Sequence, residues 1–234
     1  MKVPSDCPAF VVRLWFILAL GLVVAAARAQ VKPPGAPVSI DEKAAQGDPV
    51  AQNQLGLKAL LAKTPSYTNA FKWFRLAAEQ GLPIAEHNLG GLYFKGNGVP
   101  QDYKEALRWY QKAAEAGFAP AQSFMGWMYA TGKGVEEDPK EAVKWYLKAA
   151  QQRDKEAQFS LGLLLLDGEP DYVEAYKWIN LSAAQGNTNA IKSRAKLAVS
   201  MTAEQIAEGQ RRASEFDAKK DAAEPPKGTA PKQP

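Results

Sequence analysis

The residues of this chain that could carry out chemistry are few and scattered. The sequence contains a single histidine, His87, and a single cysteine, Cys7. A zinc site needs several His, Cys or carboxylate ligands brought together, and no nucleophile in the sequence is accompanied by an adjacent base. We therefore expect His87 to be an ordinary polar residue on a helix surface. The sequence predicts no catalytic residue, no metal site and no cofactor.

Two glycine-rich loops are the other candidates for chemistry. They read Gly-Asn-Gly-Val over 96–99 and Gly-Lys-Gly-Val over 132–135. A phosphate-binding loop would need G-x-G-x-x-G after a strand, or Gly-Lys followed by Ser or Thr, and neither is present. Two glycines one residue apart instead supply the positive φ values of a tight turn between helices. These loops are predicted to be structural.

Four tryptophans set the organisation of the chain. Trp73, Trp109, Trp145 and Trp178 recur at steps of 36, 36 and 33 residues, in the similar phrases AFKWFRLAAEQG, ALRWYQKAAEAG, AVKWYLKAAQQR and AYKWINLSAAQG. A period in this range indicates an array of helical repeats. Such arrays stack into open superhelices that bind other proteins.

The first helix of each unit, helix A, shows an apolar stripe. Ala, then Leu or Met four residues later, then an aromatic or aliphatic residue after four more give one helix face, as in Ala85, Leu89 and Tyr93. Pro49, Pro83 and Pro120 fall in its predicted first turn, where a missing N–H is harmless. A glycine follows each Leu or Met, which predicts a close approach of neighbouring helices.

The second helix, helix B, is predicted to begin after an N-cap residue seven positions before each Trp. The four N-cap residues are Ser66, Asp102, Asp138 and Asp171. In the last three units a Glu follows at the third position, which predicts a reciprocal capping box. We expect all four Trp side chains to be packed in the core.

The ends of the chain are expected not to belong to the array. Residues 1–29 have a basic start, a 14-residue apolar run and an Ala27-Arg28-Ala29 site, which is typical of a secretory signal peptide cleaved after Ala29. The alternative is an uncleaved anchor, but the run is shorter than the ~20 residues that cross a bilayer. Cleavage would remove Cys7 and leave no stable membrane anchor.

The remaining boundaries follow composition. We predict a linker over 30–44, a repeat array over 45–218 and a disordered Pro- and Lys-rich tail over 219–234. The predicted units are 47–80, 81–116, 117–152 and 153–185, with a partial unit over 186–216. Within it, Thr202 to Gln205 predicts a capping box that opens a terminal helix over 201–216. Loss of the signal peptide lowers the formal net charge from +4 to +2, so charge gives no nucleic-acid footprint.

The repeated phrase resembles the Sel-1-like repeat, a family related to tetratricopeptide repeats. The pattern Ala-x-x-x-Leu-Gly-x-x-Tyr-x-x-Gly-x-Gly-Val-x-x-Asp-x-x-x-Ala-x-x-Trp-x-x-x-Ala-Ala is nearly complete in 85–114 and 121–150, and occurs with shortened loops in 51–78 and 157–183. The resemblance implies an all-α fold, a right-handed α–α superhelix of about four helix-turn-helix repeats with a C-terminal capping helix.

The resemblance also implies a function. Members of the family typically act as adaptors that assemble protein complexes, and helix A lines the concave face. We therefore expect a non-catalytic, monomeric scaffold of the bacterial periplasm or a secreted one, binding a protein or peptide through helix A. The predicted partner-binding residues are Asn53, Leu57, His87, Phe94, Ser123, Trp127, Phe159 and Leu163.

Two other functions are weighed against the scaffold. Some secreted relatives are described as hydrolysing or binding β-lactams, but they carry a Cys pair in every repeat, and the predicted mature chain has none. Lumenal eukaryotic adaptors of glycoprotein quality control are long and membrane-anchored, which this chain is not expected to be.

Overall fold

The structure is a computed structural model that describes residues 38–223. Within this range there are helices and no strand. We number the helices in chain order as α1 (Ile40–Ala45), α2 (Pro49–Leu61), α3 (Tyr67–Glu79), α4 (Pro83–Lys95), α5 (Tyr103–Glu115), α6 (Ala119–Thr131), α7 (Pro139–Gln151), α8 (Lys155–Leu164), α9 (Tyr172–Ala184), α10 (Thr188–Val199) and α11 (Ala203–Ala223). The predicted signal peptide lies outside the described residues.

The helices form the predicted array of helix pairs. Helices α2, α4, α6 and α8 are helix A of repeats 1 to 4, and α3, α5, α7 and α9 are the corresponding helix B. Each helix B packs against helix A of its own repeat and against the next helix A along the chain. The array is therefore an all-α solenoid in which each repeat contacts its neighbours.

The residue after each Trp, rather than the Trp itself, fills the interior of its repeat. Phe74, Tyr110, Tyr146 and Ile179 are almost completely buried. Each lies on the mid-helix glycine of the paired helix A; a Cβ added at Gly126 would come within 2.7 Å of the Tyr146 ring. The predicted close approach at these glycines is confirmed, and its cause is a bulky helix-B side chain that leaves no room for another Cβ.

All four Trp side chains pack against apolar clusters of the core, as predicted, but two of them are not fully buried. Trp145 and Trp178 are buried, whereas Trp73 and Trp109 are partly exposed. Because the next residue takes the interior position, each Trp is displaced toward the preceding repeat, as where Trp109 packs on the apolar cluster of α3 and α4. A lysine ammonium lies over three of the four rings, as Lys112 does over Trp109 at 4.2 Å.

The predicted helix-B caps are confirmed in repeats 2 to 4, but the reciprocal boxes are not. Asp102 Oδ1 accepts hydrogen bonds from the backbone N–H groups of Lys104 and Glu105. The Asp102 N–H donates to the Tyr93 carbonyl of helix A, so Glu105 pairs with Arg108 instead. Asp138 and Asp171 follow the same scheme, with Glu141 and Glu174 pairing with Lys144 and Lys177.

The N-terminal caps of α3 and α11 differ in their side-chain hydrogen bonds. Ser66 is the N-cap residue of its helix B, as predicted, but its side chain makes no capping hydrogen bond. The box predicted before the terminal helix is confirmed, because Thr202 N–H donates to Gln205 and the Gln205 N–H donates back to the Thr202 hydroxyl.

A glutamine after the recurring Ala of helix A joins successive helices in three repeats. The side-chain amides of Gln52, Gln122 and Gln158 are buried and donate to the carbonyls of Ala44, Ala114 and Ala150. Each also accepts a hydrogen bond from a second glutamine, such as Gln152. Repeat 2 has Glu86 at this position, buried and with a raised pKa because of its burial.

The ends of the array extend beyond the predicted bounds. Residues predicted as linker include α1, whose Ala44 is buried against α2. At the other end, α11 runs to Ala223 rather than Phe216, so the first residues of the predicted tail are helical. The predicted C-terminal helix packs mainly against α9. Its Ala213 is buried beside Trp178, and its Phe216 ring meets Trp178 at 5.3 Å.

Candidate functional site

The helix-A surface is the side of α4 and α6 turned away from the glycine contacts with helix B. Next to it lies a group of six aromatic rings from α4, α5, α6 and the residue before α6, which we call the central aromatic cluster. One member, Tyr110, belongs to helix B and lies on Gly90. A further helix-B ring, Tyr103, meets Phe94 at 5.1 Å and is not counted in the cluster. Ring centroids of neighbouring members lie 4.4 to 5.5 Å apart. The members are His87, Phe94, Tyr110, Phe118, Phe124 and Trp127. Three of them, His87, Phe94 and Trp127, are residues that the sequence predicted for partner binding.

Phe124 is the member that sequence reasoning missed. Its ring stacks on Tyr110 at 4.4 Å and meets Phe94 at 5.3 Å and Trp127 at 5.5 Å. It lies one residue after Ser123, the position selected from the repeat register. The equivalent residues are Asn88 in repeat 2 and Ser160 in repeat 4, and neither is aromatic. The unusual aromatic residue at position 124 was therefore a signal that could have identified it.

His87 is packed among rings and does not behave as an ordinary polar surface residue. It meets Tyr110 and Phe118 edge to face at 5.2 and 5.5 Å. Burial lowers the pKa of His87 to about 4, because removal from water disfavours the charged imidazolium. The ring is therefore neutral at physiological pH and acts as one more aromatic side chain, correcting the expectation from sequence.

Two cavities flank the central aromatic cluster. The Trp127 cavity, of about 420 Å³, is lined by Phe124, Trp127 and Tyr146 together with Asp154 and Glu156. The Asn88 cavity, of about 390 Å³, is lined by Asn88, Lys95 and Asn97 on its polar side. His87 and Phe124 line both cavities. Members of the cluster therefore border both cavities.

The remaining predicted residues are spread along the surface. Ser123 lines the Trp127 cavity. Leu57 and Phe159 are partly buried against the apolar clusters of repeats 1 and 4. Leu163 is 43% exposed. The structure thus brings His87, Phe94, Ser123 and Trp127 together and leaves Leu57, Phe159 and Leu163 apart from them.

Asn53 does not belong to an accessible surface. It is 5% exposed, and its side-chain carbonyl accepts a hydrogen bond of 3.0 Å from the Asn88 amide of the next repeat. A buried amide with a partner joins two helices, so the prediction that Asn53 contacts a partner is wrong.

Comparison with protein families identifies the repeats. The family model described as the Sel1 repeat matches residues 49–82, 83–118, 119–154 and 155–187, more than half of the chain. The chain belongs to the Sel1 repeat family. Each matched segment begins two residues after the corresponding unit predicted from the sequence, at the start of helix A. No curated protein matched the sequence.

Solved structures of Sel1 repeat proteins are similar to this chain. A Sel1 repeat protein from Oxalobacter formigenes is 35% identical, with a TM-score of 0.65 over 79% of this chain and 77% of that one. A protective antigen present in uropathogenic Escherichia coli strains, with the same fold, is 25% identical, with a TM-score of 0.52 over 83% of this chain and 52% of that one. These proteins confirm the predicted fold.

Within residues 38–223, no three His, Cys, Asp or Glu side chains are grouped as metal ligands could be. In the same range, no helix combines the length and the apolar character needed to cross a membrane. Sel1 repeat proteins are helical scaffolds that generally mediate protein interactions, and the central aromatic cluster offers apolar rings beside charged rims.

Proposed function

We propose that this protein is a non-catalytic scaffold of the bacterial periplasm or cell envelope that binds a partner protein or peptide through its helix-A surface. The observation that carries the proposal is the central aromatic cluster. Phe94 and Trp127 are only partly buried, although neighbouring interior rings are covered almost completely. A folded array that leaves aromatic rings between two cavities provides a site that a partner can fill.

Contacts between the rings of the cluster support a role in binding. Phe94 meets Trp127 at 5.4 Å and Phe124 at 5.3 Å, so the rings hold one another in fixed orientations. A preorganised ring loses little conformational freedom when a partner binds. Aromatic side chains are also enriched among the residues that dominate interface energies.

The cavity rims give the site its polarity. Asp154 and Glu156 border the Trp127 cavity, and Lys95 borders the Asn88 cavity. A partner segment that reaches into both cavities therefore meets carboxylates in one and an ammonium in the other. Opposite charges at the two ends would fix the direction in which the segment lies.

The predicted signal peptide carries the proposal about location. The similar protein from E. coli is described as a protective antigen, which fits a protein made for the outside of the cytoplasm. N-terminal sequencing of the protein from a periplasmic fraction tests this directly. We expect a start at Gln30, and an intact N-terminus in the cytoplasmic fraction would contradict the proposal.

Partner capture tests the proposed surface. The variant carrying Phe94→Ala and Trp127→Ala is expected to lose the proteins that the unmodified chain captures from a periplasmic lysate. Leu76→Ala with Leu147→Ala is the matched control, because these exposed side chains lie on helix B. Unchanged capture by the Phe94/Trp127 variant, with its helical circular dichroism intact, would overturn the proposal.

The non-catalytic part of the proposal has its own test. A nitrocefin assay on the purified protein is expected to show no turnover above buffer. Measurable hydrolysis that survives further purification would favour a β-lactam-hydrolysing enzyme over a scaffold.

A further inference from the structure

The end of α11 is held at one edge of the array by Arg153. Its guanidinium Nη2 lies 2.5 Å from Asp221 Oδ1 and 3.3 Å from Asp217 Oδ1. Arg153 has a φ of 66°, and among the described residues it is the non-glycine residue with a positive φ. Repeats 2 and 3 have Gly81 and Gly117 at this position. Arg153 thus ties the last two turns of α11 to the turn before α8.

The residue after Arg153, Asp154, is part of the wall of the Trp127 cavity. Asp154 caps α8 and lines that cavity together with Glu156. Its other walls include Phe124, Trp127 and Tyr146, and no lysine or arginine is among its lining residues. The last turns of α11 are therefore tied to the residue that directly precedes Asp154, and Asp154 belongs to a cavity that combines aromatic walls with carboxylates.

The sequence that follows α11 has complementary chemistry. Residues 224–234 read EPPKGTAPKQP and contain two Pro-Lys pairs, Pro226-Lys227 and Pro231-Lys232. Proline favours the polyproline II helix, which rises ~3.1 Å per residue, so eleven residues reach about 34 Å. Proline-rich segments of this kind dock on aromatic grooves. The length, the prolines and the lysines all suit the Trp127 cavity.

We propose that residues 224–234 fold back into the Trp127 cavity of their own chain. The prolines pack on Phe124 and Trp127, and the lysine ammonium groups face the carboxylates of Asp154 and Glu156. The segment then covers the Trp127 cavity and leaves the Asn88 cavity open. The claim that an outside partner must displace this segment rests on the proposed function. The claim that the segment binds in the cavity does not rest on it.

The indole N–H resonance of Trp127 in the full chain tests the seating. We expect deletion of 224–234, or Lys227→Glu with Lys232→Glu, to shift this resonance and leave that of Trp73, at the far end of the array, unchanged. An unshifted Trp127 resonance would overturn the proposal. A shift difference that disappears on dilution would also overturn it, since the segment would then come from a second copy.

A peptide added to the chain that ends at Ala223 gives an independent measurement. A fluorescent peptide of residues 224–234 is expected to bind this shortened chain at least tenfold more tightly than the full chain, whose cavity is filled. Glu156→Lys is expected to weaken peptide binding about tenfold, whereas Glu136→Lys, an exposed loop residue outside the cavity, leaves it unchanged. Equal binding by the shortened and full chains would contradict self-occupancy.

The results separate this inference from the proposed function. If the peptide binds the shortened chain and no outside partner is lost from the Phe94/Trp127 variant, the seating stands and the proposed scaffold role fails. If partner capture depends on Phe94 and Trp127 but the peptide does not bind, the seating fails alone.

Discussion

The two sides of helix A differ in how closely the repeats agree. On the side that faces helix B, each repeat has an Ala and then a large apolar residue followed by Gly, and the glycine lies under a side chain such as Tyr146. On the opposite side the repeats diverge, from His87 to Ser123 at one position and from Gly91 to Trp127 at another. Agreement marks the positions that hold the array together, and the proposed binding surface lies where the repeats diverge.

The largest expected effect lies on the side where the repeats agree. Tyr146→Ala removes a ring that is 3% exposed and packed on Gly126. We expect a loss of about 3 to 5 kcal/mol in the free energy of unfolding, because a cavity is left in a close-packed interior. Urea unfolding measures it, with Phe94→Ala as the comparison. Equal losses at the two sites would mean that the two sides do not differ in their structural role.

A pH-dependent effect is expected on the diverging side, at His87. Its folded pKa of about 4 lies below the unfolded value near 6.5, so the unfolded chain takes up a proton first as pH falls. Stability from this residue is present above pH 6.5 and is lost as pH falls toward 4. Between pH 7 and pH 5 the unmodified chain should lose about 2 kcal/mol more than His87→Leu. Equal losses in urea unfolding would contradict the burial of a neutral ring.

A smaller change in stability is expected at Glu86, where repeat 2 differs from the other three repeats. Glu86 replaces the glutamine that donates to an Ala carbonyl in the other three repeats, and a carboxylate cannot donate to the corresponding carbonyl of Ala78. Glu86→Gln should restore that hydrogen bond and stabilise the protein at pH 7 by about 1 kcal/mol. Gln122→Glu, in repeat 3, is the reverse change and should destabilise the protein.

The pH dependence of Glu86→Gln has a defined sign. The folded pKa of Glu86 is raised by burial, so the stability contributed by its protonated form is present below the unfolded pKa and is lost as pH rises through the folded pKa. The advantage of Glu86→Gln should therefore be larger at pH 7 than at pH 4. An advantage that is constant with pH would contradict the raised pKa.

The repeat phrase determined much of the fold but less of the candidate site. The starts of helix A and helix B follow from prolines and Asp caps, which act locally and are visible in sequence. The displaced Trp side chains could not be predicted, because a helix turns 100° per residue and a shift of one position exchanges Trp109 for Tyr110 in the core. Phe124 was missed because the repeat register selected Ser123, one residue before it.

Long-range contacts account for the other differences. The capping-box prediction failed because the carbonyl of Tyr93, on the other helix, occupies the N–H that Glu105 would have reached. Asn53 looked like a surface residue until the position of Asn88 in the next repeat was known. His87 and Phe118 come from different repeats, so their contact depends on how the repeats stack.

Site-specific photocrosslinking tests the central claim, that a partner binds where the repeats diverge. A photoreactive amino acid is placed at Ser123 on the helix-A surface, or at Leu147 on helix B as the exposed control, and the native envelope is irradiated. The account predicts a discrete crosslinked partner at position 123 and none at position 147. Crosslinking of the same partner at position 147 but not at position 123 would contradict it.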